Sequence, residues 1–221
     1  MKLNVNPLFK LISQGEHQQQ DFKYCINDSR KIAKSLVAFA NTDGGRLLIG
    51  VKDNGKIIGI SSDEEFYMVE AAAKIYSRPA VKFAVQQWDA EGKIVLEIIV
   101  EKSNEKPHYA MNEDGKWVVY IRRADENVAA NNILIKSWKL EKSKKGLLFT
   151  YDEPRVLLIK YLEENKTITI SKFCRISQIT RIHAEKILSE LLFLKCINAD
   201  FNNNPVTYSL NINFDLESLN K

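Results

Sequence analysis

Three carboxylates near the start of the chain, Glu16, Asp21 and Asp53, are of the type that holds a hard metal ion against a phosphodiester. Lys23 stands two residues beyond Asp21, so on a strand the two share a face and a cation lies beside the acid. Glu16 and Asp21 are five apart, which sends them to different faces of a regular strand or helix. They converge only if residues 15–20 turn. Asp53 opens the turn Asn54-Gly55, where an ordinary Asx-turn residue is the plain alternative. Arg122 and Arg123 end a predicted strand. At least one of such a pair faces outward and can meet a phosphate, with an ion pair to Asp125 or Glu126 as the alternative. His17 and His108 are acid–base residue types that also read as solvated loop histidines.

The elements around these residues read as follows. A short amphipathic segment spans 6–13 and ends at Gly15; residues 21–25 are extended. Asn27-Asp28 supplies an N-cap for a helix over 29–40, whose Ile32, Leu36, Phe39 and Ala40 mark a buried face. Gly44-Gly45 stops that helix. A hairpin over 46–52 and 56–60 then closes at Asn54-Gly55. Ser62 and Glu65 form a capping box for a helix to about 76, ended by Pro79. Residues 81–88 and 93–101 form another hairpin, 116–122 a strand, and 127–142 a helical stretch. This is an α+β layer fold with a mixed, largely antiparallel sheet. The glycine pair is no phosphate cradle. It follows a helix rather than preceding one, so a negative helix end faces it, and no Walker lysine follows.

The second half has a different grammar. Helix over 153–163, strand over 167–170, helices over 171–176 and 180–194, then strands over 197–200 and 206–210 follow the winged helix-turn-helix order. Thr180, Arg181 and Lys186 on the third of these helices are placed to enter a major groove, while Glu185 and Glu190 on the same helix oppose phosphate. The expected organisation is a nucleic-acid-binding core over 1–135, a lysine-rich helix end and linker over 136–150, and a winged-helix-like domain over 151–221.

Composition narrows the classes. The chain has 221 residues and a net charge of +4, and the excess sits in residues 136–145, where five lysines, Lys136 and Lys139 among them, face Glu141 alone. Such a segment tracks a phosphate backbone or is a solvated helix end. No apolar run is long enough for a membrane span, and the N-terminus lacks the apolar core of a secretory signal. Three scattered cysteines, Cys25, Cys174 and Cys196, encode neither a disulfide framework nor a structural zinc site. A reduced, cytoplasmic protein without membrane contact is expected.

Glu16-x4-Asp21-Phe22-Lys23, then 38–45 (AFANTDGG), then Ile49-Gly50-Val51-x-Asp53 resemble the Schlafen family, specifically its Alba-type nucleic-acid-binding core. Pro107, Tyr120-Ile121-Arg122-Arg123, Asn127 and Ala129 continue the resemblance more loosely, over roughly residues 10–130. It implies a divalent-metal-dependent endoribonuclease on structured RNA such as tRNA. Glu16, Asp21 and Asp53 would hold Mg²⁺ or Mn²⁺, with aspartate where glutamate is usual at the second position. Lys23, Arg122, Arg123, Lys136, Lys139, Arg181 and Lys186 would meet the nucleic acid. The zinc site of animal relatives has no counterpart here. The alternatives are a non-catalytic DNA-binding regulator using core and winged helix together, and a nucleotide-binding or interaction module. Animal relatives enclose a groove with two such lobes, so the resemblance implies a homodimer of this chain.

Overall fold

The computed structural model of the chain describes residues 7–143, 150 and 152–213. Two compact units, Met1–Ala130 and Asn131–Lys221, divide it. The division falls ahead of the expected end of the core at 135, because the helix that carries Lys136 and Lys139 packs into the second unit. Lys144 and Lys145 of the lysine-rich segment lie outside the described residues.

In the first unit the order is α1 (Pro7–Ile12), β1 (Gln20–Lys23), α2 (Ser29–Asn41), β2 (Gly45–Ile49), α3 (Glu64–Lys74), β3 (Ser77–Arg78), β4 (Ala84–Ala90), β5 (Lys93–Val100), β6 (Tyr109–Met111), β7 (Trp117–Val118), β8 (Tyr120–Arg123) and β9 (Glu126–Ala129). One sheet has the order β1-β2-β5-β4, with β1 parallel to β2 and the other pairs antiparallel; β3-β6-β7 and β8-β9 form smaller sheets. Side chains alternate between sheet faces, and the sequence uses both. Leu47, Ile49, Leu96 and Ile98 pack with Leu36, Phe39 and Ala40 of α2, while Phe22, Leu48 and Val95 pack with Leu8 of α1 on the opposite side. Asp21, next to Phe22, therefore faces α2. That helix starts where Asp28 accepts the Arg30 N–H at 2.8 Å, a cap of about 1 kcal/mol.

Two expectations change. The hairpin over 46–60 is not a continuous ladder: β2 ends at Ile49 and pairs with β1 and β5, and only Val51 and Ile57 bridge before the turn. Gly50 breaks the strand. It takes φ +98°, and a Cβ there would stand 2.9 Å from the carbonyl carbon of Gly59. The Asn54-Gly55 turn itself is present, with Lys52 N–H on the Lys56 carbonyl at 3.0 Å. Second, residues 127–142 are not one helix. β9 returns along β8, and Asn131, whose side chain accepts the Leu134 N–H, starts a new element.

The second unit runs α4 (Asn132–Glu141), α5 (Glu153–Asn165), β10 (Thr167–Thr169), α6 (Ile170–Ser177), α7 (Arg181–Phe193), β11 (Ile197–Asp200) and β12 (Thr207–Leu210). The strands make an antiparallel sheet of order β10-β12-β11. Ile133, Leu158, Phe173, Ala184, Ile187, Leu188 and Tyr208 form its core. Asp152, Thr169 and Thr180 each cap a helix through a side-chain oxygen, which sets where α5, α6 and α7 begin.

Candidate functional site

Residues 15–20 do turn. Gly15 takes φ +69°, and His17 and Gln20 exchange backbone hydrogen bonds at 3.0 and 3.1 Å. Three consecutive glutamines fix that turn from three directions. The Gln18 amide donates to the Arg122 carbonyl (3.1 Å) and its oxygen accepts the Ala124 N–H (2.9 Å). Gln19 donates to the Asp43 carbonyl at 2.9 Å, and the buried Gln20 donates to the carbonyls of Leu11 and Gly15 at 2.8 and 2.7 Å. The turn carries Glu16 back over β1, where its Oε1 accepts the Phe22 N–H at 2.8 Å.

Glu16 and Asp21 meet there through a side-chain hydrogen bond. Burial first, and the neighbouring Asp21 second, push the Glu16 carboxyl from its ordinary 4.5 up to about 7. Burial alone would raise Asp21 as well; the hydrogen bond from Glu16 and the charges of Lys23 and Arg122 override it and hold Asp21 below its ordinary value. The pair therefore shares one proton near neutrality, carried by Glu16, with Asp21 ionised.

Asp21 is 3% exposed and saturated with donors. Lys23 Nζ stands 3.1 Å from Oδ1, Ser35 Oγ donates to Oδ2 at 3.0 Å, and Arg122 Nη2 lies 3.7 Å from Oδ1. A closed ring surrounds it. Asn127 donates to Ser35 Oγ at 2.9 Å and accepts from Arg122 Nη1 at 3.1 Å. Arg122 Nη2 also donates to the carbonyls of Gln20 (2.9 Å) and His17 (3.2 Å), and its guanidinium stacks 5.2 Å from the centre of the Phe39 ring. A buried charge survives only when it is paired and hydrogen-bonded in this way.

This geometry reassigns Arg122. It is 3% exposed and is the strut of the network, so it is not a surface cation for phosphate. Arg123 is the outward one of the pair and is bound to Glu126 at 2.7 Å. Asp53 is exposed on its turn, which rests against the end of α1: a Cβ at Gly55 would stand 3.1 Å from Ile12. Among the described residues no group of three acids, histidines or cysteines is placed to hold a metal ion. Glu16 and Asp21 thus offer one edge of a hard-cation site, and the described residues do not complete it. Ser35 and the three glutamines are the members that the sequence reading misses, while Asn127 entered only through the family resemblance. A serine on the buried face of α2, one turn from Ile32, was the available signal.

In the second unit the expected nucleic-acid contacts lie on α4 and α7. Lys136 pairs with Glu185 at 2.9 Å, Arg181 with Glu185 at 3.5 Å and Lys186 with Glu190 at 3.9 Å; Lys139 is exposed. Glu190 is also bound to the buried Arg155, which reaches Asp152 as well. Arg181, Ile182, His183 and Lys186 are all exposed along the first turns of α7, Ile182 to 77%.

No curated protein matches the chain. Among solved structures, the DIP2311 protein from Corynebacterium diphtheriae is 20% identical, with 59% of this chain and 25% of that one covered and a TM-score of 0.43. The N-terminal domain of a RecG-related protein from Nitrosomonas europaea is 19% identical, with 67% and 96% covered and a TM-score of 0.40. Neither likeness bears on function at that level. The family model described as "Schlafen, AlbA_2" matches residues 16–131, a span that opens on Glu16 and closes just past Asn127. With more than half of its length in that match, the whole Asp21 network included, the chain belongs to the Schlafen, AlbA_2 family.

Proposed function

We propose that this chain is a nucleic-acid-binding protein whose second unit is a winged helix-turn-helix that reads duplex DNA through α7. The observation that carries this reading is the second unit's own order, with a helix, an edge strand, two helices meeting at the left-handed Gln178, and a two-stranded wing in one antiparallel sheet. The exposed first turns of α7 present one guanidinium, one imidazole, one ammonium and one apolar side chain, which are groups that read base edges and thymine methyls. Family membership of the first unit supports the same substrate class. Because Glu185 and Glu190 offset Arg181 and Lys186, sequence readout contributes more than bulk charge, and non-specific affinity is low. Selection from a pool of random duplexes by the full chain enriches a defined motif. A pool that stays random after repeated rounds contradicts the reading.

A dimer fits this reading, since two copies would bind two half-sites one helical turn apart. Sedimentation of the protein–DNA complex should give two chains per site; one chain per site contradicts it. The thiols of Cys25, Cys174 and Cys196 are all unpaired, which suits a reducing cytoplasm. No helix among the described residues is long and apolar enough to cross a membrane.

One observation favours a second reading, a divalent-metal-dependent endoribonuclease: the turn at residues 15–20 brings Glu16 and Asp21 together. Mg²⁺ or Mn²⁺ at that pair would neutralise it and polarise a phosphate oxygen. Lys23, half-exposed beside Asp21, would hold the RNA backbone. Incubation with tRNA and Mn²⁺ decides: cleavage lost in Glu16→Ala and in Asp53→Ala supports this reading, and intact tRNA at every divalent metal removes it.

A further inference from the structure

A cluster outside the Asp21 network carries chemistry of its own. His108 is 3% exposed in the first unit, just ahead of β6. Its Nδ1 lies 2.9 Å from the carbonyl oxygen of Pro79. A carbonyl only accepts, so the neutral ring carries its proton on Nδ1. Nε2 then presents its lone pair, and Ser103 Oγ stands 2.7 Å from it. Ser103 Oγ also accepts the Glu105 N–H at 2.9 Å, which leaves its own proton for His108.

Both partners are fixed through their backbones. Asn41 accepts the His108 N–H at 2.8 Å and donates to the His108 carbonyl at 2.9 Å, while Ser103 N–H donates to the Ala40 carbonyl at 2.9 Å. Ser103 is half-buried, and with His108 it lines a cavity of about 210 Å³ that Lys82, Glu101 and Lys102 also line. A hydroxyl, a base within hydrogen-bond reach and a third group that orients the base form the constellation of nucleophilic acyl transfer.

We propose that Ser103 is a nucleophile, activated by His108, that accepts the acyl group of a small ester entering this cavity. Ser103 Oγ forms a bond to the ester carbonyl carbon while its proton passes to His108 Nε2. As the ester C–O bond breaks, that proton leaves on the departing alcohol or phenol, and the acyl group stays on Ser103.

The test is to incubate the full chain with p-nitrophenyl acetate and to locate acetyl groups by intact mass and peptide mapping over a range of pH. One acetyl is expected on Ser103, absent from folded Ser103→Ala. In His108→Gln, whose amide keeps a hydrogen-bond partner for Ser103 but takes up no proton, the rate should fall about 100-fold. The wild-type rate should also fall as pH drops and the imidazole protonates. Acetyl groups on lysines alone, or Ser103 modified equally fast in folded His108→Gln, would overturn the proposal. Should His108→Gln fail to fold, the wild-type profile decides, because a rate without an acid limb overturns it equally.

Discussion

Charge is used in opposite ways in the two units. Around Asp21 it is buried and closed: the acid is 3% exposed, Arg122 likewise, and Asn127 joins Ser35, which donates to Asp21, to Arg122. Along α7 the cations are outside and the acids largely inside. Arg181 and Lys186 keep 68% and 70% of their side chains exposed, while Glu185 and Glu190 keep 13% and 8%. Each of those acids has a second, better placed partner, Lys136 for Glu185 and Arg155 for Glu190. A network in which each member satisfies another sets the shape of β1, α2 and β8 and has little to spare for a ligand. Cations whose acids are already satisfied are available, because binding a phosphate costs the fold nothing.

The largest effect is expected at Arg122. Arg122→Ala leaves Asp21 and the carbonyls of His17 and Gln20 short of donors inside the first unit, and should cost about 3–5 kcal/mol in chemical denaturation. A loss below about 1 kcal/mol would mean that the ring is ornamental. Ser35→Ala removes one donor to Asp21 and one acceptor for Asn127, for about 1–3 kcal/mol by the same measurement. Glu16→Gln changes how stability depends on pH. The Glu16 carboxyl is raised in the fold, so its stabilising contribution is present below 4.5 and is lost as pH rises through about 7. Wild type should therefore lose Tm relative to Glu16→Gln between about pH 4.5 and pH 7, a window in which Asp21 stays ionised. Parallel Tm curves for the two proteins would show that no proton is shared. The smallest effect belongs to α7, where Arg181→Ala and Lys186→Ala should each move stability by less than about 0.5 kcal/mol.

Much of the frame was legible in the residues. The helix over 29–40 followed from Asp28 and from Ile32, Leu36 and Phe39, and the element order of the second half followed from periodicity and turn residues. Boundaries failed where a long-range partner decided them. Residues 127–130 have helical neighbours in sequence, yet β9 exists because β8 lies beside it, and no local pattern encodes that. The same holds for the site. The need for a turn at 15–20 was legible, but the glutamines that hold it bond to Arg122, Asp43 and Leu11, partners up to a hundred residues away. Arg122 looked like a surface cation because strand alternation says that one of two adjacent arginines faces in but not which one. Here the register of β8 against β9 turned Arg122 towards Asn127.

If α7 carries the binding that the Asp21 network does not, the affinity of the full chain for its selected duplex, measured by fluorescence anisotropy, should depend on Arg181 and Lys186, as the double variant Arg181→Ala, Lys186→Ala would show. A loss of about tenfold or more is expected in the double variant with the melting temperature unchanged, since Glu185 and Glu190 keep Lys136 and Arg155. An unchanged affinity in the folded double variant would contradict it.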